Sequence, residues 1–249
     1  MRILCTNDDG YMAGGLRALA EAAGTLGDVE VVAPDREQSA TSHALTLHRP
    51  LRYRRSTDGV FVVDGTPTDC VIMAVNEVLG YHPDVCLSGV NHGSNMGEDV
   101  LYSGTVAAAM EATVLGIPSV ALSYTGDDHE SLDSWGPTLE SLLKQVITRE
   151  AFPPHTLLNI NLPAVPAKQV RGVKITSLGR RQYSDSITRA LDPKGREYFW
   201  IGGDISAWAG AEDADYRAVK SGFISVTPLQ LDLTNYELLE EIRRWDLSL

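Results

Sequence analysis

Cysteine, positive charge and long apolar runs are what this 249-residue sequence has least of. Its three cysteines, Cys5, Cys70 and Cys86, are widely spaced in apolar sequence, which argues against a disulfide framework or a zinc site. They read as reduced core residues of a cytoplasmic protein. Thirty-three acidic residues against 21 basic ones leave a net charge of −12. A partner held mainly by phosphate neutralisation, such as a nucleic-acid duplex, is therefore not expected. The longest apolar run, near 71–75, is far too short to cross a bilayer, and the N-terminus has no signal-type apolar stretch. No membrane partner is expected. Several catalytic signatures are also missing. Gly10 and Gly15 have Walker A spacing, but Leu16-Arg17 stands where Lys and Ser or Thr are needed. No G-x-G-x-x-G follows the first strand, and there is no H-E-x-x-H or G-x-S-x-G. The six histidines have no ligand spacing.

What is present begins at the first ten residues, MRILCTNDDG. A short apolar run ends in Asn7-Asp8-Asp9-Gly10. Successive side chains of a straight strand point to opposite faces, so Asp8 and Asp9 converge only if the chain turns. Gly10 permits that turn. The pair reads either as a site for a hard divalent cation or as a polar turn with an Asp helix cap. A phosphatase using an aspartyl nucleophile in a D-x-D-G start is excluded, because Asn7 occupies the nucleophile's position.

Strand and helix patterns alternate through residues 1–125. Strands are expected at 2–6, 29–33, 85–87 and 119–123, with helices at 16–26, after Thr66-Pro67, and at 105–115. Residues 45–55 and 60–63 read as a hairpin through Thr57-Asp58-Gly59. A helix is expected over 132–147 and strands over 157–162 and 170–175. Continuous apolar strands alternating with helices predict an α/β fold with a mostly parallel sheet between helical layers. After about residue 178 the pattern changes. Strands at 180–188 and 197–201 flank the turn Asp192-Pro193-Lys194-Gly195, followed by a strand at 223–226 and a last helix at 236–245. We therefore expect a core over 1–178 and a hairpin region over 179–249. The hairpin has little apolar content of its own to pack, and a second subunit is one candidate to cover it.

Ligands of open parallel sheets bind beyond the carboxyl ends of the strands. The loops there carry Asn7, Asp8 and Asp9, then Ser39, Ser42 and His43, then Asn91, Asn95, Ser103 and Thr105. These are oxygen donors suited to a hard cation. Tyr102-Ser103-Gly104-Thr105 precedes an Ala-rich helix, whose free N–H groups can hold phosphate; Ser103 is equally an ordinary N-cap. His92 is either a substrate contact or a solvated loop residue. Arg180 and Arg181 either pair with phosphate or line a solvated strand.

These stretches resemble the SurE (survival protein E) family nearly end to end. They are NDDG at 7–10, APDREQSATSHALTLHRPLR at 34–53, DGTPTDCV at 64–71, SGVNHGSNMGEDVLYSGTVAAAMEA at 88–112, GIPSVALS at 116–123, NINLP at 159–163 and GFISVTPL at 222–229. The resemblance implies a Rossmann-like three-layer core with a protruding C-terminal β-hairpin region that exchanges between subunits of a homodimer or homotetramer. The final helix is expected to pack back on the core. It implies one divalent cation per subunit, Mg²⁺ or Mn²⁺, on Asp8, Asp9, Ser39 and Asn91, and phosphate contacts from Asn95, Ser103, Gly104 and Thr105. The implied activity is hydrolysis of nucleoside 5′-monophosphates, with 3′-monophosphates as further substrates, by a metal-activated water. Asp8 and Asp9 are the catalytic pair, with Asp9 favoured as proton acceptor. Two departures stand out: Ala40 follows Ser39 where the family commonly has Gly, and Ala214-Asp215 replaces a Thr-Asp pair. The competing readings are a non-catalytic metal- or nucleotide-sensing module and a sugar-nucleotide transferase.

Overall fold

The computed structural model describes residues 1–126, 132, 134–148, 152–183, 187–201, 205–245 and 247. Residues 184–186 of the expected strand at 180–188, and residue 133 of the expected helix at 132–147, lie outside the described residues.

The first strand, β1 (Arg2–Thr6), alternates its side chains between two cores. Ile3 and Cys5 face one and Leu4 faces the other. β2 (Asp28–Pro34) and β5 (Val85–His92) flank it in parallel. The hairpin β3 (Tyr53–Arg55) and β4 (Phe61–Val63) extends one edge. β6 (Ser119–Tyr124) and β7 (Thr156–Leu162) continue the parallel ladder on the other side. β13 (Ile224–Gln230) and β8 (Val173–Ile175) complete the nine-stranded sheet, whose order is β3-β4-β2-β1-β5-β6-β7-β13-β8. The interposed β13 pairs antiparallel with β7 and parallel with β8. The chain beyond residue 178 therefore returns a strand to the main sheet.

Helices cover both faces, which gives the expected three-layer α/β architecture. α1 (Gly14–Gly24) and α4 (Gly136–Ile147) pack Leu16, Leu19, Leu139 and Leu143 on one face with the buried Trp135. α2 (Pro67–Met73) and α3 (Gly104–Val114) pack Cys70, Val71, Ala108 and Ala112 on the other. Thr66 starts α2 through a reciprocal capping box with Asp69, as Thr66-Pro67 signals. The three cysteines are buried in this apolar interior, Cys5 and Cys86 on strands and Cys70 on α2.

Two elements depart from the sequence reading. Residues 45–52 form no strand; only β3 survives from the expected 45–55. Pro50 has no N–H to give. The Thr46 N–H donates to Asp69 Oδ1 at 3.0 Å and the Arg52 N–H to Asp64 Oδ1 at 2.7 Å, so these backbone donors are spent on side chains. The last helix, α6 (Tyr236–Ile242), buries no residue, contrary to the expectation that it packs back on the core. Its apolar side chains Tyr236 and Leu238 stay exposed within a single chain.

Two small antiparallel pairs stand outside the main sheet: β9 (Arg180–Tyr183) with β12 (Ile205–Ala209), and β10 (Ile187–Leu191) with β11 (Glu197–Ile201). The turn between the latter two is closed by Asp192, which accepts from the N–H groups of Lys194 and Arg196. The hairpin exposes Ile187, Leu191, Phe199, Trp200 and Ile201.

The start of α1 is held close to the end of β5. A Cβ on Gly15 would overlap the Val90 carbonyl oxygen, whereas one on Gly14 would meet nothing within 4 Å. Gly15→Ala is expected to destabilise the fold by about 1–3 kcal/mol. Gly14→Ala is expected to be neutral or to stabilise by up to about 1 kcal/mol. Urea denaturation of the two variants checks the contrast; equal midpoints would contradict it.

Candidate functional site

The site is built where β1 ends. Asn7 is fully buried and its Nδ2 donates to the Gly10 carbonyl at 3.0 Å, which closes the turn expected there. Asp8 and Asp9 are thereby sent to different surroundings. Asp8 is 4% exposed and accepts a hydrogen bond from the Thr105 hydroxyl at the start of α3. Asp9 is half-buried and accepts from the His92 N–H at 3.1 Å.

The second loop is tied to the first through its backbone. The Gln38 N–H donates to the Asp8 carbonyl at 2.7 Å. That bond brings Ser39, whose hydroxyl donates to Glu37 Oε1 at 2.7 Å, to the cavity that Asp9 also lines. Further on, Ser42 bonds the carbonyls of Leu101 and Tyr102, and His43 meets Glu111 at 2.8 Å. Ala40 and Ser42 have φ of 57° and 56°. Ala40 therefore carries a Cβ in the left-handed region, which costs about 1–2 kcal/mol.

The third loop leaves β5 through a register shift between Ser88 and Asn91, where the Gly89–Val90 peptide is cis. Asn91 Nδ2 donates to the Gly93 carbonyl at 2.8 Å, and its amide oxygen is the atom suited to a ligand role. One cavity of about 340 Å³ is lined by Asp9, Ser39 and Asn91, with Glu37, His92 and Tyr124 around them. Three of the four expected ligands thus share one space, and Asp8 adjoins them through the backbone.

The expected phosphate residues divide. Ser103 caps α3, accepting from the Val106 N–H at 3.1 Å. Gly104 lies against Asp8: a Cβ there would be 2.7 Å from the Asp8 Cβ, so only glycine lets the helix start approach the carboxylate. Thr105 turns its hydroxyl to Asp8. Asn95 sits among the strand ends beyond β5. Its Nδ2 donates to Ser123 Oγ at 2.8 Å, its N–H to Asn161 Oδ1 at 2.9 Å, and its carbonyl accepts from Asn159 and Asn161. Sequence reading missed these two asparagines. The NINLP stretch looks like a plain core strand, and two buried amides inside an apolar strand were the available signal. Arg181 fits neither of its two readings: its side chain pairs with Asp99, and its N–H donates to Glu98 Oε2 at 2.6 Å. His92 closes β5, and its backbone positions Asp9.

The residues fit a hard cation. Burial pushes the Asp8 carboxyl up to about 6, against the lowering effect of the Thr105 hydroxyl and with a further push from the Asp9 charge. Among the described residues, no Lys or Arg contributes to that shift. A buried carboxylate without a basic partner is costly, and a bound cation removes the cost. No group of three or more His, Cys, Asp or Glu side chains gathers for a metal among the described residues. A cation here would therefore rely on the neutral oxygens of Ser39 and Asn91 to complete the two carboxylates.

A family model described as "Survival protein SurE" matches residues 3–185. The chain belongs to the SurE family. A protein named 5′-nucleotidase SurE from Gemmatimonas aurantiaca is 56% identical over 248 residues, covering 98% of each chain. One of the same name from Geotalea uraniireducens is 50% identical, covering 100% of each. The crystal structure of SurE protein from Aquifex aeolicus superposes with a TM-score of 0.87 at 42% identity, covering 98% of both chains. The three-layer fold read from the sequence is thus that of a solved SurE protein.

The raised Asp8 pKa makes stability depend on pH. An acid whose folded pKa lies above its unfolded value of about 3.9 stabilises the fold below that value, and the contribution is lost as pH rises through the folded pKa. Metal-free protein is expected to lose up to about 3 kcal/mol between pH 4 and pH 7 relative to Asp8→Asn. Chemical denaturation in EDTA at both pH values measures it; parallel pH slopes for the two proteins would contradict it.

Proposed function

We propose that the site hydrolyses nucleoside 5′-monophosphates to nucleoside and phosphate, with 3′-monophosphates as further substrates. The observation that carries this reading is the bond between Asp8 and Thr105. It brings a buried carboxylate, beside an oxygen-lined cavity, against the first turn of α3, where backbone N–H groups and the positive end of the helix favour a phosphate. The names of the relatives, 5′-nucleotidase SurE, support the same substrate class. The protein is a phosphoric-monoester hydrolase on this reading, and no observation favours a sensing module.

One divalent cation per subunit, Mg²⁺ or Mn²⁺, would be held by Asp8, Asp9, Ser39 and Asn91. Such a cation would neutralise phosphoryl charge and make a bound water more acidic. Asp8 is held for that role by the Thr105 hydroxyl and Asp9 by the His92 N–H. The Asp9 carboxylate, the more exposed of the two, is placed to take the proton of the attacking water. The N–H groups of Gly104 and Thr105, the Ser103 hydroxyl and the Asn95 amide stabilise the charge on the equatorial phosphoryl oxygens. Burial on the α3 side keeps water from weakening those bonds.

A second copy of the chain is the proposed cover for the β10–β11 hairpin, which carries Trp200 66% exposed and Ile201 90% exposed. Homodimer or homotetramer formation through residues 179–249 follows, with 1–178 and the returning β13 as the catalytic core. No helix among the described residues is long and apolar enough to cross a membrane, and we propose a cytoplasmic enzyme.

Phosphate release from AMP or GMP with Mn²⁺ is the direct assay. EDTA is expected to abolish it and Mn²⁺ to restore it. Asp8→Asn is expected to lower kcat/KM by at least about 100-fold while the far-ultraviolet spectrum stays native. Binding of nucleotide without turnover, or an unchanged rate in Asp8→Asn, would overturn the assignment.

A further inference from the structure

The segment 95–103 carries the proposed phosphate residues at its two ends, and a third carboxylate holds its middle. Asp215 opens the short helix α5 (Asp215–Lys220) and is fully buried. Its Oδ2 accepts from the Gly97 N–H at 2.9 Å. Its Oδ1 accepts from the N–H groups of Gly179 at 2.9 Å and Tyr216 at 2.7 Å. Three backbone donors thus converge on one carboxylate from segments far apart in the chain. Burial raises the Asp215 carboxyl and these three bonds oppose that rise.

The neighbourhood repeats the same connection. Met96 packs with Ala214, Tyr216 and Val219, and Trp208 stacks on Tyr216 at 5.1 Å between ring centroids. One residue beyond Gly97, Glu98 receives the Arg181 N–H, and Asp99 pairs with the Arg181 guanidinium. The Asp99 carbonyl in turn accepts the Ser103 N–H at 3.1 Å. From the opposite side, Asn159 and Asn161 hold the backbone of Asn95. The segment is therefore clamped between the sheet and the region after residue 178.

We infer that Asp215, seconded by Arg181, is a positioning residue for the phosphate subsite: it fixes the turn at Gly97 so that Asn95 and the Ser103 cap stand in register for one phosphate group. The inference rests on reading Asn95 and Ser103–Thr105 as that subsite. An ionised carboxylate suits the place because it only accepts. An amide would accept from two of the three N–H groups and turn its own NH₂ toward the third, leaving two donors face to face.

The test compares Asp215→Asn, Arg181→Met and Asn95→Ala in the full-length protein with saturating Mn²⁺. Three readouts are taken: the inhibition constant of inorganic phosphate, kcat and KM for AMP, and Mn²⁺ affinity by electron paramagnetic resonance. Asp215→Asn is expected to raise the phosphate constant and KM roughly 10- to 100-fold, with Mn²⁺ affinity within about twofold of wild type. Arg181→Met, which leaves no acceptor-seeking donor buried, is expected to give a rise of about threefold, and it carries the test should Asp215→Asn fail to fold. Asn95→Ala reports on the subsite itself. If it leaves the phosphate constant unchanged, the subsite reading fails. If it raises that constant while folded Asp215→Asn, or Arg181→Met in its place, does not, the positioning role fails. Equal losses of phosphate and Mn²⁺ affinity in Asp215→Asn would mean general loosening and would also overturn it.

Discussion

The carboxylate of Asp8 is taken out of water at the point where β1 turns, and most of the site's construction follows from that burial. A charge so placed needs compensation, and no basic side chain among the described residues supplies it. The compensation present is neutral: the Thr105 hydroxyl, with the first turn of α3 behind it. Gly104 must lack a Cβ for α3 to come that close. Asn7 must be buried and bonded to Gly10 for the turn to send Asp8 and Asp9 apart. Gln38 then hangs the Ser39 loop on the Asp8 carbonyl. Each of these residues is explained by the need to hold one acid where a cation, and then a phosphate, would meet it.

That arrangement stores a bias in the metal-free protein. With its pKa raised to about 6, Asp8 is partly protonated in mildly acidic solution. A cation held by Asp8 would therefore bind with release of a proton. The same low-dielectric surroundings that penalise the bare carboxylate strengthen its attraction for a cation. On the proposed reading, stability of the metal-free protein is given up for cation affinity, as is common at active sites.

The parts of this design visible in the sequence are the local ones. NDDG at a strand end, the Thr66 cap and the Ser103 helix start are short patterns whose chemistry does not depend on distant residues. The three-layer order follows from alternating apolar strands and helices. What stayed hidden depends on tertiary pairing. Leu45, Leu47 and Leu51 imitate a strand, yet the backbone donors there are consumed by Asp64 and Asp69. Thr105 reads as a phosphate ligand, and only the fold shows its hydroxyl committed to Asp8. Asp215 and Gly97 stand 118 residues apart, and no spacing rule connects them. Arg181 looks like a solvated strand residue until the acidic turn at Glu98 and Asp99 is placed against it.

The central claim is that Asp8 must give up its proton to a divalent cation. Isothermal titration of the metal-free protein with Mn²⁺ at pH 6, repeated in buffers of different ionisation enthalpy, counts the protons released on binding. The account predicts release of about half a proton per cation near pH 6, falling toward zero at pH 8 and absent in Asp8→Asn. Binding of Mn²⁺ with no proton release at pH 6, or with the same release in Asp8→Asn, would contradict it.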